Sequence, residues 1–315
     1  MSKVDRKAPR RSTASESRFS IFEFEREFPD DDACLARIWA ERYPTGRGRC
    51  PSCHRVSKFH REIGRPSFEC QWCGHHIHPM VGTIFENSAT SLRLWFYAIY
   101  LMASTRCGIS AKQLERELGV TYKTAWRMFR QIRSLLSQER GFLMGTVEID
   151  EAFIGGKAKW KSRGRPTGQG GGTVGKTAVH GMAERGRRGA RIVANIVPDT
   201  GSGTLIPAVY SKVLPGSTVY TDEWMGYKTL GKRGYKHTRV NHTEHVYVVG
   251  DAHMNTVEGF WSLLKRGVSG VYHGVSTKHL QSYVDEYVFR YNNRAATGRG
   301  MFDAFLRLAV QTRPT

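Results

Sequence analysis

"STVYTD", residues 217–222, is a short β-branched and aromatic run that ends on a carboxylate, Asp222. Valine, threonine and tyrosine favour a strand. An acid at a strand tip either caps the next helix or holds a cation. The pattern has a precedent upstream in "TVEID" (146–150), which ends on Asp150. Two further β-rich runs, "TAVHGMA" (177–183) and "RIVANIV" (191–197), follow it, and "TLIPAVYSKVL" (204–214) has a helical period before the last run. Strands interleaved with a helix predict an α/β domain over 141–315.

A third acid, Glu258, lies in "HMNTVEGFWSLLKRG" (253–267). At 100° per residue, Asn255, Glu258, Ser262 and Lys265 form one helical stripe, opposite Val257, Phe260, Leu263 and Leu264. Two strand-end aspartates and a helix carboxylate can hold two Mg²⁺ ions about 3.5–4 Å apart, the arrangement that activates an attacking oxygen and stabilises a leaving one. Lys265, two turns beyond Glu258, can grip a phosphate. Asn255 shares the stripe and offers an amide oxygen, so the third ligand stays open between the two; charge favours Glu258. The competing role for Asp222 is the N-cap of a helix starting near Glu223. Glu148, Glu151 and Glu223 read as supporting or surface acids, and His242, His245 and His253 as structural or water-orienting residues.

Upstream, "CPSCHRVSKFHREIGRPSFECQWCGHH" (50–76) has two C-x₂-C pairs sixteen residues apart. Each pair offers two thiolates from one tight turn, and two pairs complete the closed tetrahedron of a structural zinc. Cys50, Cys53, Cys70 and Cys73 are the expected ligands. An iron site has similar spacing, but the basic surroundings favour a nucleic-acid-binding ribbon. His75, His76 and His78 read as phosphate-facing or strand residues, Cys34 and Cys107 as small buried hydrophobes.

"GISAKQLERELGVTYKTAWRMFRQIRSLL" (108–136) starts one short helix after Ser110, breaks at Gly119 and restarts after Thr121. Two helices about a Gly-containing turn make a helix-turn-helix, whose second helix would present Tyr122, Lys123, Arg127 and Arg130 to a major groove. The formal charge of +20 points to a polyanionic partner. Residues 157–191 alone hold ten Lys or Arg against one acid. The Gly-rich 157–175 part, with Lys159, Lys161, Arg163 and Arg165, reads as a phosphate-contacting loop.

The best apolar run, "LRLWFYAIYLMA" (92–103), is core-helix length and too short to span a bilayer. The basic, Ser-rich N-terminus lacks an apolar signal core. The expected organisation is multidomain α+β: a disordered basic arm (1–20), a helix plus zinc ribbon (21–88), a helix-turn-helix (89–140) and the α/β domain, in a cytoplasmic protein.

"VEIDEAFIGGK", "VYTDEWMGY" and "HMNTVEGFWSLLKRGVSGVYHGVSTKHLQSYVDEYVFRYNNR", behind "CPSCH…CQWCGHHIHPMVGTIFENSATSLRLWFYAIYLM", resemble the bacterial insertion-sequence transposases with an N-terminal zinc ribbon and an ISXO-type catalytic domain. The resemblance runs from about Phe22 to Phe305. It implies a ribonuclease-H-like fold, catalytic Asp150 and Asp222, and a third position in the N-x-x-E of Asn255 and Glu258, often Asn in the family. It further implies Mg²⁺, replaceable by Mn²⁺, and action on double-stranded DNA (terminal inverted repeats and target) by a homodimer or higher multimer. The expected function is a DNA transposase. A DNA-binding transcription regulator with a non-catalytic domain is the alternative, disfavoured because all three acids are present. A nuclease of the same fold would differ only in using water as the attacking group.

Overall fold

The computed structural model describes residues 19–136, 141–155, 175–186, 189–240 and 253–311, which form a mixed α+β protein. It has two compact units, one of Met1–Ser104 with Ala296–Thr315, the other Thr105–Ala295.

In the first unit, α1 (Ile21–Glu27) opens on a reciprocal cap. The Ser20 hydroxyl accepts the Glu23 amide at 3.3 Å, and the Glu23 carboxylate accepts the Ser20 amide at 2.6 Å. Asp30 caps α2 (Asp31–Arg42) through the Ala33 amide, and acids in the first turn suit the helix dipole. Next come β1 (Arg47–Arg49), β2 (Val56–Arg61), β3 (Phe68–Cys70) and β4 (His76–Ile77), an antiparallel meander. Trp39 of α2 stacks on Phe68 with ring centroids 4.1 Å apart, giving this small sheet an apolar cover. The most apolar run forms α3 (Leu92–Ser104), with Trp95, Phe96 and Ile99 buried.

In the second unit, α4 (Ala111–Leu118) and α5 (Tyr122–Ser134) start after Ser110 and Thr121, whose hydroxyls accept the Gln113 and Thr124 amides. Gly119 ends α4 at φ +63°, the left-handed conformation that glycine adopts freely. Then follow β5 (Thr146–Ile154), β6 (Thr177–Glu184), β7 (Arg191–Val197), α6 (Ser202–Tyr210), β8 (Thr218–Thr221), β9 (Lys236–Arg239), α7 (Asn255–Gly270) and α8 (Thr277–Asn292). The sheet order is β7-β6-β5-β8-β9. β6 is antiparallel to both neighbours, while β8 runs parallel to β5 and β9 to β8.

Both faces of this sheet are covered, so β6 is buried along nearly its whole length. Ala152, Ile154, Val179 and Ala183 pack against Phe260 and Leu264 of α7 and Val284 and Tyr287 of α8. Val147, Ile149 and Met182 pack on the other side against Leu205, Ile206 and Tyr227. Strand side chains alternate between faces. Glu148 and Asp150 therefore fall on the α7 side and Glu151 on the α6 side.

An ionic core joins α5 to α8. Arg133, 2% exposed, donates Nε to Glu286 at 2.7 Å, and Arg290 reaches the other Glu286 oxygen at 2.8 Å. The Arg133 guanidinium also lies 3.1 Å from the Tyr283 ring centroid. Burial alone would raise the Glu286 carboxyl; Arg290 and Arg133 outweigh it and hold it below its ordinary value. The last helix, α9 (Gly298–Gln311), belongs to the first unit, where Arg299 pairs with Glu27 and Asp303.

Candidate acidic centre and cysteine cluster

The parallel pairing of β5 with β8 sets Ile149 beside Thr221. One residue further along, Asp222 follows directly on the last residue of β8, while Asp150, expected at a strand end, lies mid-strand because β5 stays paired with β6 as far as Ile154. Trp261 of α7 fixes Asp150, donating Nε1 to its Oδ2 at 3.0 Å. Gly181, paired with Asp150 across the sheet, makes the reach possible, because a Cβ there would lie 2.4 Å from the indole. Asp222 Oδ1 accepts the Trp224 amide at 3.0 Å, which is an Asx turn. The short 3₁₀ turn that follows (Met225–Tyr227) has no side-chain cap, so Asp222 is not a helix cap.

Asn255 and Glu258 occupy the first turn of α7 and are exposed, as are Ser262 and Lys265 further along. Val257, Phe260 and Leu264 are buried on the other side, and Leu263 is partly buried. Burial, then the charges of Asp222 and Glu258, push the Asp150 carboxyl up to about 6, against the pull of the Glu151 amide and the Trp261 indole. Glu151 is pushed further, to about 8, by burial and then by Asp150 and Asp222. It takes a hydrogen bond from the Tyr227 hydroxyl and lies 3.9 Å from His180, a ring that burial holds down to about 4 and thus neutral. Like-charged hard oxygens crowded in a half-buried place suit a divalent cation, by donor chemistry and by the repulsion a cation would relieve.

The cysteines are gathered more tightly. Among the described residues, Cys50, Cys53, Cys70 and Cys73 form the group whose ligand atoms all lie within 4.8 Å of one another. The Cys50–Cys73 and Cys53–Cys70 sulfurs are 3.6 and 3.9 Å apart. A tetrahedral zinc with Zn–S of about 2.3 Å requires sulfurs about 3.8 Å apart. The group fits that ion. His75, His76 and His78 line a neighbouring cleft of about 560 Å³ with Arg42, and His76 Nδ1 lies 2.7 Å from Glu62.

Tyr122, Lys123, Arg127 and Arg130 are all exposed on α5, while Ala125 and Phe129 are buried beneath them. Lys159, Lys161, Arg163 and Arg165 lie outside the described residues, as do His242 and His245. Cys107 corrects an expectation: unlike buried Cys34 it is exposed, because it sits in the turn before α4, where its carbonyl accepts the Tyr287 hydroxyl. Glu148 and Glu151 also differ from surface acids, Glu148 being 0% exposed and the Glu151 side chain 7%, whereas Glu223 is exposed. The period-two spacing of Glu148 and Asp150 signals a shared face. Nothing local signals the partners they find on α7.

Neighbouring carboxylates on β5 and just past β8, and a four-thiol cluster that could hold a metal ion, mark an α+β protein with two groups of candidate metal ligands. Residues 142–292 match the ISXO2-like transposase domain family. Over 280 residues the chain is 30% identical to an uncharacterized protein in transposable element ISH50 of Halobacterium salinarum, covering 83% of this chain and 91% of that one. Over 103 residues it is 32% identical to an uncharacterized transposase-like protein of Haemophilus influenzae, covering 33% of this chain and 82% of the relative. The chain belongs to the insertion-sequence transposases with an ISXO2-like transposase domain. No described helix is long and apolar enough to cross a membrane.

Proposed function

We propose that the chain binds the terminal inverted repeats of its insertion sequence in double-stranded DNA, then cuts and joins DNA by metal-dependent phosphodiester hydrolysis and transesterification. The observation that carries this reading is the parallel pairing of Ile149 with Thr221, which brings Asp150 and Asp222, the residues that follow them, close enough that the charges of Asp222 and Glu258 both act on Asp150. On this reading the five-stranded sheet and its helices are a ribonuclease-H-like catalytic domain. The α4–α5 pair is a helix-turn-helix that offers Tyr122, Lys123, Arg127 and Arg130 to DNA. Cys50, Cys53, Cys70 and Cys73 hold a structural zinc.

Asp150, Asp222 and Glu258 would hold Mg²⁺, or Mn²⁺ in its place, with Asn255 beside them. When bound, the ions supply Lewis-acid activation of the attacking oxygen and charge stabilisation at the leaving one. The chain's own residues orient the reaction. Trp261 holds Asp150 in place, and Lys265, seven residues or about 10 Å along the helix from Glu258, contacts a phosphate oxygen. Trp224, 48% exposed beside Asp222 and anchored by Nε1 to the Thr200 carbonyl at 2.8 Å, offers a flat face on which a base can stack. The protein would work in the cytoplasm as a homodimer or larger assembly on DNA. The test is incubation of purified protein with Mg²⁺ and a labelled fragment carrying the element's end. Nicking and joining lost in Asp150→Asn and Asp222→Asn, with end binding retained, is the expected result; cleavage undiminished in both variants overturns it.

A further inference from the structure

Glu148 and Arg185 have no role in the chemistry above, yet the site is built around them. Glu148 lies two residues before Asp150 on β5 and is 0% exposed. A buried carboxylate is costly unless its oxygens find donors. Oε2 accepts the amides of Thr256 at 2.8 Å and Val257 at 3.0 Å; Oε1 accepts the Thr256 hydroxyl at 2.7 Å and Arg185 Nε at 2.6 Å. His253 Nδ1 lies 3.4 Å away.

Those two amides belong to the first turn of α7, where backbone donors have no partner within the helix. Met254, the residue before α7, supplies no side-chain cap. Glu148 thus caps α7 from a strand 108 residues earlier in the chain. Arg185 extends the contact. Its other arm donates to the His253 carbonyl, and its guanidinium lies 4.9 Å from the ring centroid of Tyr220 on β8. One ion pair therefore touches all three elements that carry the candidate ligands. On β5 it sits two residues from Asp150, on β8 two residues from Asp222, and on α7 at the residues between Asn255 and Glu258.

We propose that the Glu148–Arg185 pair is a positioning node that sets the spacing of Asp150, Asp222 and Glu258, and through it the affinity of the centre for divalent cations. The inference rests on those carboxylates being the metal-holding set. Neither Glu148 nor Arg185 touches the metal or DNA. Contacts of this supporting kind change metal affinity by about 10- to 100-fold when lost.

The experiment uses the full chain as Glu148→Gln, Thr256→Val and Asp150→Asn. Mn²⁺ binding is followed by electron paramagnetic resonance of the free ion, melting temperature is measured with and without Mn²⁺, and end cleavage is titrated with Mg²⁺. Glu148→Gln should weaken Mn²⁺ binding about tenfold or more, with cleavage recovering at high metal and end binding unchanged. Thr256→Val removes only the hydroxyl leg at nearly constant volume, so it gives a smaller shift in the same direction and decides the matter if Glu148→Gln does not fold. Unchanged Mn²⁺ affinity in the folded variants, with Asp150→Asn weakened, overturns the positioning role alone. Unchanged affinity in Asp150→Asn as well overturns the ligand assignment, and the node with it.

Discussion

The cysteine cluster and the acidic centre differ in how the chain assembles them. Each pair of thiols comes from one tight turn, the four sulfurs lie within 4.8 Å of one another, and the Cys50–Cys73 and Cys53–Cys70 pairs stand near the spacing of a tetrahedral zinc. The acids come from two strands and a helix spread over residues 150–258, and their level depends on strand register and on where α7 begins. The first site is encoded locally and is closed, with no open position for a reacting group. The second is encoded by tertiary structure, and burial together with the repulsion of neighbouring carboxylates raises the Asp150 and Glu151 carboxyls. On the proposed function the two divide the labour: the local site would fold a module, and the assembled centre would do the chemistry.

The sharpest way to break that division is to disable the proposed zinc site. Structural zinc in small modules contributes about 10–16 kcal/mol. Cys50→Ser, Cys70→Ser or chelation should unfold the ribbon and abolish recognition of element ends. The unit Thr105–Ala295, with its own core, should keep a separate unfolding transition. Cysteine variants that bind ends normally would show that the cluster is not what folds the recognition module.

Next in size is a split within the acidic centre. Glu258→Gln should abolish strand cleavage with end binding intact, a loss beyond the ~100-fold expected of a supporting contact. Asn255→Ala should lower activity and respond to added Mg²⁺ or Mn²⁺. Cleavage assays over a metal titration distinguish the two, and the reverse ranking would make Asn255 the third ligand.

What could be read from the sequence follows the same line between local and assembled. The C-x₂-C turns, the strand run that stops at Asp222, the Ser110 and Thr121 caps and the polar stripe of α7 are periodic or adjacent features, and each occurs in the structure as such, whereas the strand expected to end on Asp150 runs on to Ile154. Contacts across the fold could not be read. Glu148 looked like a neighbour of Asp150 and proves to cap a helix 108 residues away. Arg133, on the same helix as the expected DNA-facing residues, is buried between Glu286 and Tyr283. Gly181 clears the way for Trp261, a contact that nothing in its own strand signals. Periodicity reports which face of an element is apolar, not which distant partner satisfies a buried charge.

A smaller effect sharpens the contrast through pH. The folded carboxyls of Asp150 and Glu151 lie near 6 and 8, above their ordinary values near 4. Between those values the native state binds more protons than the unfolded chain, so metal-free stability of this unit falls as pH rises from about 4 to about 8. Mg²⁺ neutralises the deprotonated set and should offset that fall. The melting-temperature gain from Mg²⁺ is therefore expected to be larger at pH 8 than at pH 6. A gain independent of pH would mean that these acids are not the groups the cation relieves.

The smallest expected effect concerns binding without chemistry. Each phosphate contact made by a Lys or Arg releases counterions and contributes about −0.9 to the slope of log affinity against log salt. Lys123 and Arg130 are exposed on α5, on the side away from buried Ala125 and Phe129, so neither substitution opens the core. Lys123→Ala and Arg130→Ala should each reduce the magnitude of the slope for end binding by about one, weaken affinity modestly at low salt, and leave the cleavage rate at saturating protein unchanged. Fluorescence anisotropy across a salt series gives the slope, and single-turnover cleavage gives the rate. If the slope is unaltered, α5 does not face phosphate and the positive charge acts elsewhere. If the cleavage rate at saturation falls as well, the recognition helix also positions the scissile bond, and binding and cutting are not separable as the two metal sites suggest.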